Sequence, residues 1–180
     1  MPSNTADLVH GIRRAIRDIP DFPKPGIMFK DITPLLLDAP RFQAAIDLMG
    51  APFRNDGVSR VISIESRGFL LGAPIALALE AGLVPIRKPG KLPAERRRVE
   101  YALEYGTDAL EMHQDAVGPS DRVLIVDDVL ATGGTAAAAA TLVKGHGARL
   151  AGLTFLIELD FLRGRERLRG ERVEALLHYT

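Results

Sequence analysis

The chain has 180 residues, equal numbers of acidic and basic side chains, and no cysteine. That length suits one domain with a substantial core, and the zero net charge gives no sign of nucleic acid or an anionic membrane as a partner. The absence of cysteine excludes a disulfide framework and a thiolate nucleophile. The amino terminus lacks a signal-like segment and no apolar run reaches membrane-spanning length, so we expect a soluble, cytoplasmic protein.

The first 35 residues combine a predicted helix with a proline-rich segment. Apolar residues recur at helical spacing over 6–19, and prolines at positions 20, 23 and 25 end that helix. The stretch 25–34, expected to be irregular, then carries large apolar side chains, among them Ile27, Met28 and Phe29. Such a loop can stack on a flat heterocycle, and it can equally plug a core beneath a lid.

From residue 40 onward, predicted helices alternate with short aliphatic strands. Helices are expected at 40–54, 69–81 and 135–145, strands at 61–64, 83–87, 123–126, 153–159 and 176–179, and a charged helix or loop at 164–172. Strands that alternate with helices favour a parallel sheet. The predicted fold class is therefore α/β, with a central parallel sheet flanked by helices.

Two of these strands end in charged turns. The strand at 61–64 is followed by Glu65-Ser66-Arg67-Gly68, where Arg67 can clamp a phosphate or pair with a nearby carboxylate. The strand at 83–87 runs into Arg87-Lys88-Pro89-Gly90-Lys91, which indicates either an anion site or a solvated basic surface. Residues 91–112 are rich in charge and predict a flexible hairpin or flap, with Arg96–Arg98 as its solvated outer face or a dimer contact.

The most informative stretch is Arg122–Thr135. An aliphatic run, 123–126, predicts a buried strand, and Asp127 and Asp128 stand at its carboxyl end, where α/β sheets bind ligands. The sequence Thr132-Gly133-Gly134-Thr135 then predicts a tight loop opening a helix, whose free N–H groups suit a phosphate. Paired carboxylates suit the hydroxyls of a ribose. Walker and dinucleotide fingerprints are absent, and the plainer alternative is a strand-end turn followed by a helix start.

These motifs, in this order, resemble those of the type I phosphoribosyltransferase family, and in particular its adenine-specific members. The resemblance is carried by 22–32, 65–69, 87–93, 103–106 and 123–135. It implies one domain, 1–180, in which 1–35 form a small base-binding hood and 91–112 the flexible flap. The implied reaction transfers the phosphoribosyl group of 5-phosphoribosyl 1-pyrophosphate (PRPP) to N9 of adenine, giving AMP and pyrophosphate in purine salvage.

The same resemblance implies a role for each site residue. The ribose would be held by Asp127 and Asp128, and the 5′-phosphate by Ala131, Thr132, Gly133, Gly134 and Thr135. The pyrophosphate would be held by Ser66, Arg67, Arg87, Lys88 and Lys91, with a non-proline cis peptide between Glu65 and Ser66. Adenine would be held by Met28, Phe29 and Lys30, Phe29 by stacking and the others through their backbone. The implied catalytic residues are Glu104, acting on adenine N7, and Tyr105, which helps to close the flap.

The resemblance also implies a Mg²⁺ cofactor, held mainly by PRPP oxygens with no direct protein ligand, and a homodimer without nucleic-acid or membrane partners. Two departures from the family pattern are Lys30, where many relatives have arginine, and the strongly basic stretch Glu95–Arg98. A PRPP-sensing regulator that binds nucleic acid is an alternative, although length and charge do not favour it. A phosphotransfer protein with Asp127 or Asp128 as acceptor leaves the Thr-Gly-Gly-Thr loop unexplained.

Overall fold

In the computed structural model, which describes residues 4–102 and 106–180, the chain divides into two units, Met1–Leu48 and Met49–Thr180. The predicted catalytic residues Glu104 and Tyr105 lie outside the described residues. None of the helices in the described part of the chain combines the length and the apolar character that crossing a bilayer requires.

The first unit contains two short strands that the sequence analysis did not predict. Its elements are α1 (Thr5–Arg14), β1 (Arg17–Ile19), β2 (Phe29–Asp31), α2 (Thr33–Leu37) and most of α3 (Ala39–Gly50). The helix predicted over 6–19 is therefore wrong beyond Arg14, and the stretch 25–34 is not wholly irregular.

The physical reason lies in the pairing of β1 with β2. The two strands run antiparallel, with Arg17 opposite Asp31 and Asp18 opposite Lys30. Both rungs carry ion pairs, at 2.6 Å between Arg17 Nη2 and Asp31 Oδ2 and at 2.7 Å between Lys30 Nζ and Asp18 Oδ1. Opposite charges directly across a ladder stabilise it, and a helical pattern read from one segment cannot detect a partner ten residues away.

The second unit is built on a five-stranded sheet in the order β4-β3-β7-β8-β9, with every neighbouring pair parallel. Its strands are β3 (Arg60–Ile64), β4 (Gly82–Ile86), β7 (Arg122–Leu130), β8 (Arg149–Leu159) and β9 (Val173–Tyr179). Helices α4 (Gly68–Ala78) and α5 (Gly134–Gly145) pack on it, and short 3₁₀ turns occupy Ala51–Phe53, Asp160–Leu162 and Gly164–Leu168. The predicted parallel α/β fold is confirmed.

A separate antiparallel hairpin interrupts the alternation where the sequence predicted one. It consists of β5 (Arg96–Ala102) and β6 (Thr107–His113). Exposure alternates along β5, so Arg96 and Arg98 face solvent as expected, whereas Arg97 is half-buried. Arg97 donates a hydrogen bond to the Gly145 carbonyl, at the carboxyl end of α5, where the helix dipole favours a cation.

The central strand β7 extends further than its aliphatic run predicts. On one side β3 pairs with it only as far as Val126, but on the other β8 pairs with it as far as Leu130. Asp127 and Asp128 therefore lie within the strand rather than after it, and beyond the last residue of β7 that pairs with β3. This staggered end creates the space in which the polar residues of the sheet edge meet.

Gly152 of β8 offers a test of how tightly this sheet is packed. An added Cβ would lie 2.6 Å from Cε1 of the buried Phe53 and 3.0 Å from the Arg172 carbonyl oxygen. The ring cannot yield freely, because the Arg172 guanidinium lies 4.5 Å from its centroid on one face. We expect Gly152→Ala to lower the free energy of unfolding by about 1–3 kcal/mol in urea titrations, as overpacking does.

The matched control is Gly118→Ala, where no atom lies within 4 Å of an added Cβ. Its stability is expected to be unchanged or raised by up to about 1 kcal/mol, because alanine restricts the unfolded chain. Equal stability of the two variants would contradict the tight contact between β8 and Phe53.

Candidate active site

The carboxyl end of β7 leads through a short loop into α5, as the sequence predicts. Gly133 has φ of +79°, a left-handed conformation that glycine adopts without strain, and α5 begins at the next residue. Because a glycine precedes the helix, no side chain caps it. The first N–H groups of α5 therefore remain directed out of its amino end, together with the positive end of the helix dipole.

A cavity of about 80 Å³ lies between this helix end and the strand. It is lined by Asp127, Val129, Leu130, Ala131, Thr132, Gly133, Gly134, Thr135, Ala136 and Phe155. The structure thus brings Asp127 and all five predicted phosphate-loop residues around one hollow. The hollow is not filled by side chains, which is the arrangement an anion-binding loop needs.

The acidic pair beside the cavity carries strongly perturbed carboxyl groups. Burial, and then the negative charge of Asp128, raise the pKa of Asp127 well above its ordinary value. Burial also raises the pKa of Asp128, and the Arg67 guanidinium offsets part of that effect. The Asp128 N–H donates to Asp127 Oδ1 at 2.9 Å, which fixes the orientation of the first carboxylate. Ionising both acids this close together is costly, and a nearby cation or hydrogen-bond donor lowers that cost.

The turn after β3 approaches the same acids from the neighbouring strand. Arg67 Nε lies 2.6 Å from Asp128 Oδ2, so Arg67 pairs with a carboxylate, as one of its two sequence-based interpretations proposes. Gly68 leaves room for the acidic pair, since an added Cβ would lie 2.8 Å from Asp127 Oδ1 and would displace it. The peptide between Glu65 and Ser66 is cis, as the resemblance implies.

Glu65 organises the basic turn that follows β4. Its carboxylate contacts Arg87 at 3.4 Å, accepts a 3.0 Å hydrogen bond from the Lys88 N–H, and pairs with Lys91. Burial by itself would raise the pKa of Glu65, but the hydrogen bonds from Lys91, Lys88 and Arg87 outweigh it and lower the pKa to about 2. The cations of this turn are therefore gathered at the sheet edge rather than spread over solvent.

A second carboxylate, Asp108 of the hairpin, holds the side chain of Lys88. Burial would lower the pKa of Lys88, but hydrogen bonds to Asp108 and Tyr101 outweigh it and raise the pKa. The Tyr101 hydroxyl in turn accepts a hydrogen bond from Thr135 Oγ1 at 3.3 Å. Contacts thus run without a break from the basic turn to the loop that begins α5.

Two residues of this site, Tyr101 and Gly164, lie outside the motifs of the sequence analysis. Glu65 lies within a motif, but its partners, the cations after β4, were not predicted. A Cβ added to Gly164 would lie closer than 3.0 Å to the Ala131 carbonyl oxygen. A Cβ added to Gly133 would lie closer than 3.0 Å to the Gly164 carbonyl oxygen. The sequence feature that could have drawn attention to Gly164 is its position between two arginines, Arg163 and Arg165.

The predicted adenine-binding residues belong to the first unit. Met28 is exposed, and the half-buried ring of Phe29 packs edge-on against Phe22 with centroids 5.1 Å apart. Lys30 pairs with Asp18 across the β1–β2 ladder. A role for these residues in base binding stays a prediction.

Among residues 4–102 and 106–180, one group of side chains has spacing suited to a metal ion: Glu158, Asp160 and His178. Arg165 Nε donates to both oxygens of Glu158, at 2.8 and 2.9 Å, so a cation already neutralises that carboxylate. The group therefore has the character of an ion-pair network.

Comparison with known proteins agrees with this geometry. The model of the phosphoribosyl transferase domain family matches residues 36–172. An adenine phosphoribosyltransferase from Myxococcus xanthus is 58% identical over 180 residues, which cover 99% of this chain and 98% of the relative. The crystal structure of adenine phosphoribosyltransferase from Thermoanaerobacter pseudethanolicus is 50% identical and superposes with a TM-score of 0.92, covering 95% of this chain and 99% of that one.

A more distant structure, the Saccharomyces cerevisiae adenine phosphoribosyltransferase, was solved with adenine and an imino-altritol bisphosphate bound. It is 41% identical, with a TM-score of 0.90 over 96% of this chain and 99% of that chain. The chain described above belongs to the phosphoribosyl transferase domain family and, within it, to the adenine phosphoribosyltransferases.

Proposed function

We propose that this chain transfers the phosphoribosyl group of PRPP to N9 of adenine, releasing AMP and pyrophosphate. The observation that carries the proposal is the cavity that joins Asp127, the first acid of the β7 pair, to the uncapped amino end of α5. The basic turns after β3 and β4 reach the same sheet edge. Membership among the adenine phosphoribosyltransferases supports adenine as the acceptor.

The ribose 5-phosphate half of the donor fits the cavity by hydrogen-bond chemistry. The hydroxyls at C2′ and C3′ can each donate to a carboxylate, which suits Asp127 and Asp128. The terminal phosphate accepts from the backbone N–H groups of Ala131–Thr135, where the helix dipole adds a favourable charge. Binding thus replaces the repulsion within the acidic pair by hydrogen bonds from neutral hydroxyls.

The pyrophosphate half would meet the cations at the ends of β3 and β4. Negative charge grows on the pyrophosphate as its bond to C1′ breaks, and fixed cations stabilise that transition state more than the ground state. The cations proposed for this role are Arg67, Arg87, Lys88 and Lys91, and the neutral Ser66 is proposed to contact the same pyrophosphate. The carboxylates of Glu65, Asp108 and Asp128 pair with these cations and hold them at the sheet edge.

The donor set also fits a Mg²⁺ ion, because carboxylate, hydroxyl and phosphate oxygens are the ligands that this ion prefers. The ion would be held mainly by oxygens of PRPP itself, with no direct protein ligand, and the carboxyl groups of Asp127 and Asp128 would attract it electrostatically. Bound there, the ion would neutralise part of the charge on the pyrophosphate.

The acceptor half of the reaction is proposed for residues of the first unit and the flap. Phe29 would stack on adenine, the backbone of Met28 and Lys30 would bind its edge, and Glu104 would hydrogen-bond or protonate N7. Tyr105 would help to exclude water, which otherwise hydrolyses the donor. We further propose that the enzyme works in the cytoplasm as a homodimer.

The activity is tested by incubating the protein with PRPP, Mg²⁺ and one purine at a time, followed by chromatography of the products. AMP and pyrophosphate are expected in equal amounts from adenine, with little or no nucleotide from hypoxanthine or guanine. A protein that binds PRPP but makes no nucleotide would point instead to a PRPP-sensing regulator. Radiolabel from the donor retained on an aspartate would point to a phosphotransfer protein.

The ribose assignment predicts that Asp127→Asn and Asp128→Asn each weaken PRPP binding by about tenfold or more in calorimetry, because each loses charge-assisted hydrogen bonds. Removing one of two buried like charges relieves repulsion, so Asp127→Asn should not lower the unfolding temperature. An unchanged unfolding temperature would show that the weaker PRPP binding does not result from loss of the fold. The control is the exposed Asp115→Asn, for which wild-type affinity is expected; wild-type affinity in all three variants would refute the assignment.

The contact between Gly164 and the phosphate loop predicts a loss of donor affinity from a distant segment of the chain. Gly164→Ala must displace the Ala131 carbonyl, and with it the neighbouring N–H groups. We expect PRPP affinity to fall at least about tenfold, since small misplacements of binding groups have large costs. Calorimetry and thermal unfolding should be run beside the open-space control Gly118→Ala, and equal affinity in both would show that the loop tolerates the displacement.

A further inference from the structure

Tyr101 belongs to none of the motifs that indicate PRPP binding, yet its side chain lies among the residues that would bind it. It stands on the half-buried face of β5, directly opposite Asp108 of β6. Its ring packs against the hydrophobic core and its Cδ2 lies 3.4 Å from the ideal Cβ position of Gly134, the first residue of α5. The side chain thus joins the hairpin to the loop that begins the helix.

The hydroxyl of Tyr101 contacts three polar side chains from three parts of the fold. Lys88 Nζ donates to it at 3.1 Å and Thr135 Oγ1 donates to it at 3.3 Å. The hydroxyl in turn donates to Asp108 Oδ2 at 3.2 Å. A phenolic hydroxyl offers one donor and two acceptor sites, so these contacts use its full hydrogen-bonding capacity.

These contacts connect the two groups that would bind opposite ends of PRPP. Lys88 is proposed for the pyrophosphate and Thr135 for the 5′-phosphate. An ammonium group has three N–H donors, and two of those of Lys88 are directed at Asp108 and Tyr101, which leaves the third for an anion. Because a lysine head on a four-carbon stem is otherwise free to rotate, the two partners restrict it to one direction.

We propose that Tyr101 is a positioning residue for the phosphoribosyl donor: its hydroxyl holds the Lys88 ammonium and the Thr135 hydroxyl in a fixed relation, so that the two anionic ends of PRPP are bound together. The inference rests on the proposed function and extends it to a residue of the hairpin stem. Tyr101 acts through Lys88 and Thr135 and need not touch the reacting atoms.

A purely structural role makes a different prediction, because packing and hydrogen bonding can be separated at this residue. Phenylalanine keeps the ring against Gly134 and the core and removes the hydroxyl alone. If only packing matters, Tyr101→Phe leaves donor affinity intact. If the hydroxyl positions the donor-binding groups, donor affinity falls while the fold and the KM for adenine are kept.

The test measures PRPP binding by calorimetry with Mg²⁺, steady-state kinetics and thermal unfolding for wild type and Tyr101→Phe. We expect Kd and KM for PRPP to rise about tenfold, because hydrogen bonds to a charged group are lost. The kcat at saturating PRPP should fall as well, because Lys88 is proposed to stabilise the departing pyrophosphate, whereas the KM for adenine should stay within about twofold. The control Tyr179→Phe, which removes a hydroxyl from the last residue of β9, is expected to behave as wild type.

A double-mutant cycle then asks whether Tyr101 acts through Lys88. In a Lys88→Ala background the added Tyr101→Phe change should weaken PRPP binding by no more than about threefold, since only the contact with Thr135 remains to be lost. A full tenfold effect in that background, an unchanged Kd in the single variant, or an equal rise in the KM for adenine would each overturn the inference.

Failure of the proposed function would be visible in the wild type, and failure of the inference in the variant. A wild type that binds PRPP without making AMP would refute the activity, and the calorimetric comparison with Tyr101→Phe would still decide the role of the hydroxyl. A wild type that does not bind PRPP would overturn both.

Discussion

The site depends on one electrostatic constraint: two carboxylates held side by side in the last part of a buried strand. Asp127 and Asp128 remain there because β8 continues to pair with β7 after β3 has ended. Burial and the negative charge of Asp128 raise the pKa of Asp127, so ionising both carboxyl groups is costly. In the proposed function, hydrogen bonds from ribose hydroxyls would stabilise the ionised carboxylates.

The cations at this edge of the sheet are also held close together, in their case by carboxylates. Basic side chains that are exposed to solvent repel one another and stay mobile. Here they form ion pairs with Glu65 and Asp108, and the hydrogen bonds in these pairs lower the pKa of both carboxyl groups. The ion pairs hold the cations close together at the sheet edge. In an enzyme of this family, such an arrangement places the positive charges before negative charge develops on the leaving pyrophosphate.

Close backbone approach accounts for the glycines of the site. Gly68 leaves room for Asp127, and Gly133 and Gly164 leave room for each other's backbones, so that two segments far apart in sequence support one loop. The hairpin adds Tyr101, whose hydroxyl reaches both the basic turn and the start of α5. The proposed donor site is therefore assembled from strand ends, a loop and a hairpin stem whose relative positions restrain one another.

The sequence by itself determined the parallel α/β alternation and the acid–acid–Thr-Gly-Gly-Thr string, because period, composition and turn chemistry are local properties of the chain. It could not predict the β1–β2 pairing, the extension of β7 to Leu130, or the partners of Glu65. Nor could it reveal Gly164 and Tyr101, which lie outside the motifs. Only the tertiary structure decided these, because strand register, ion-pair choice and backbone contact depend on which distant residues folding brings within a few ångströms.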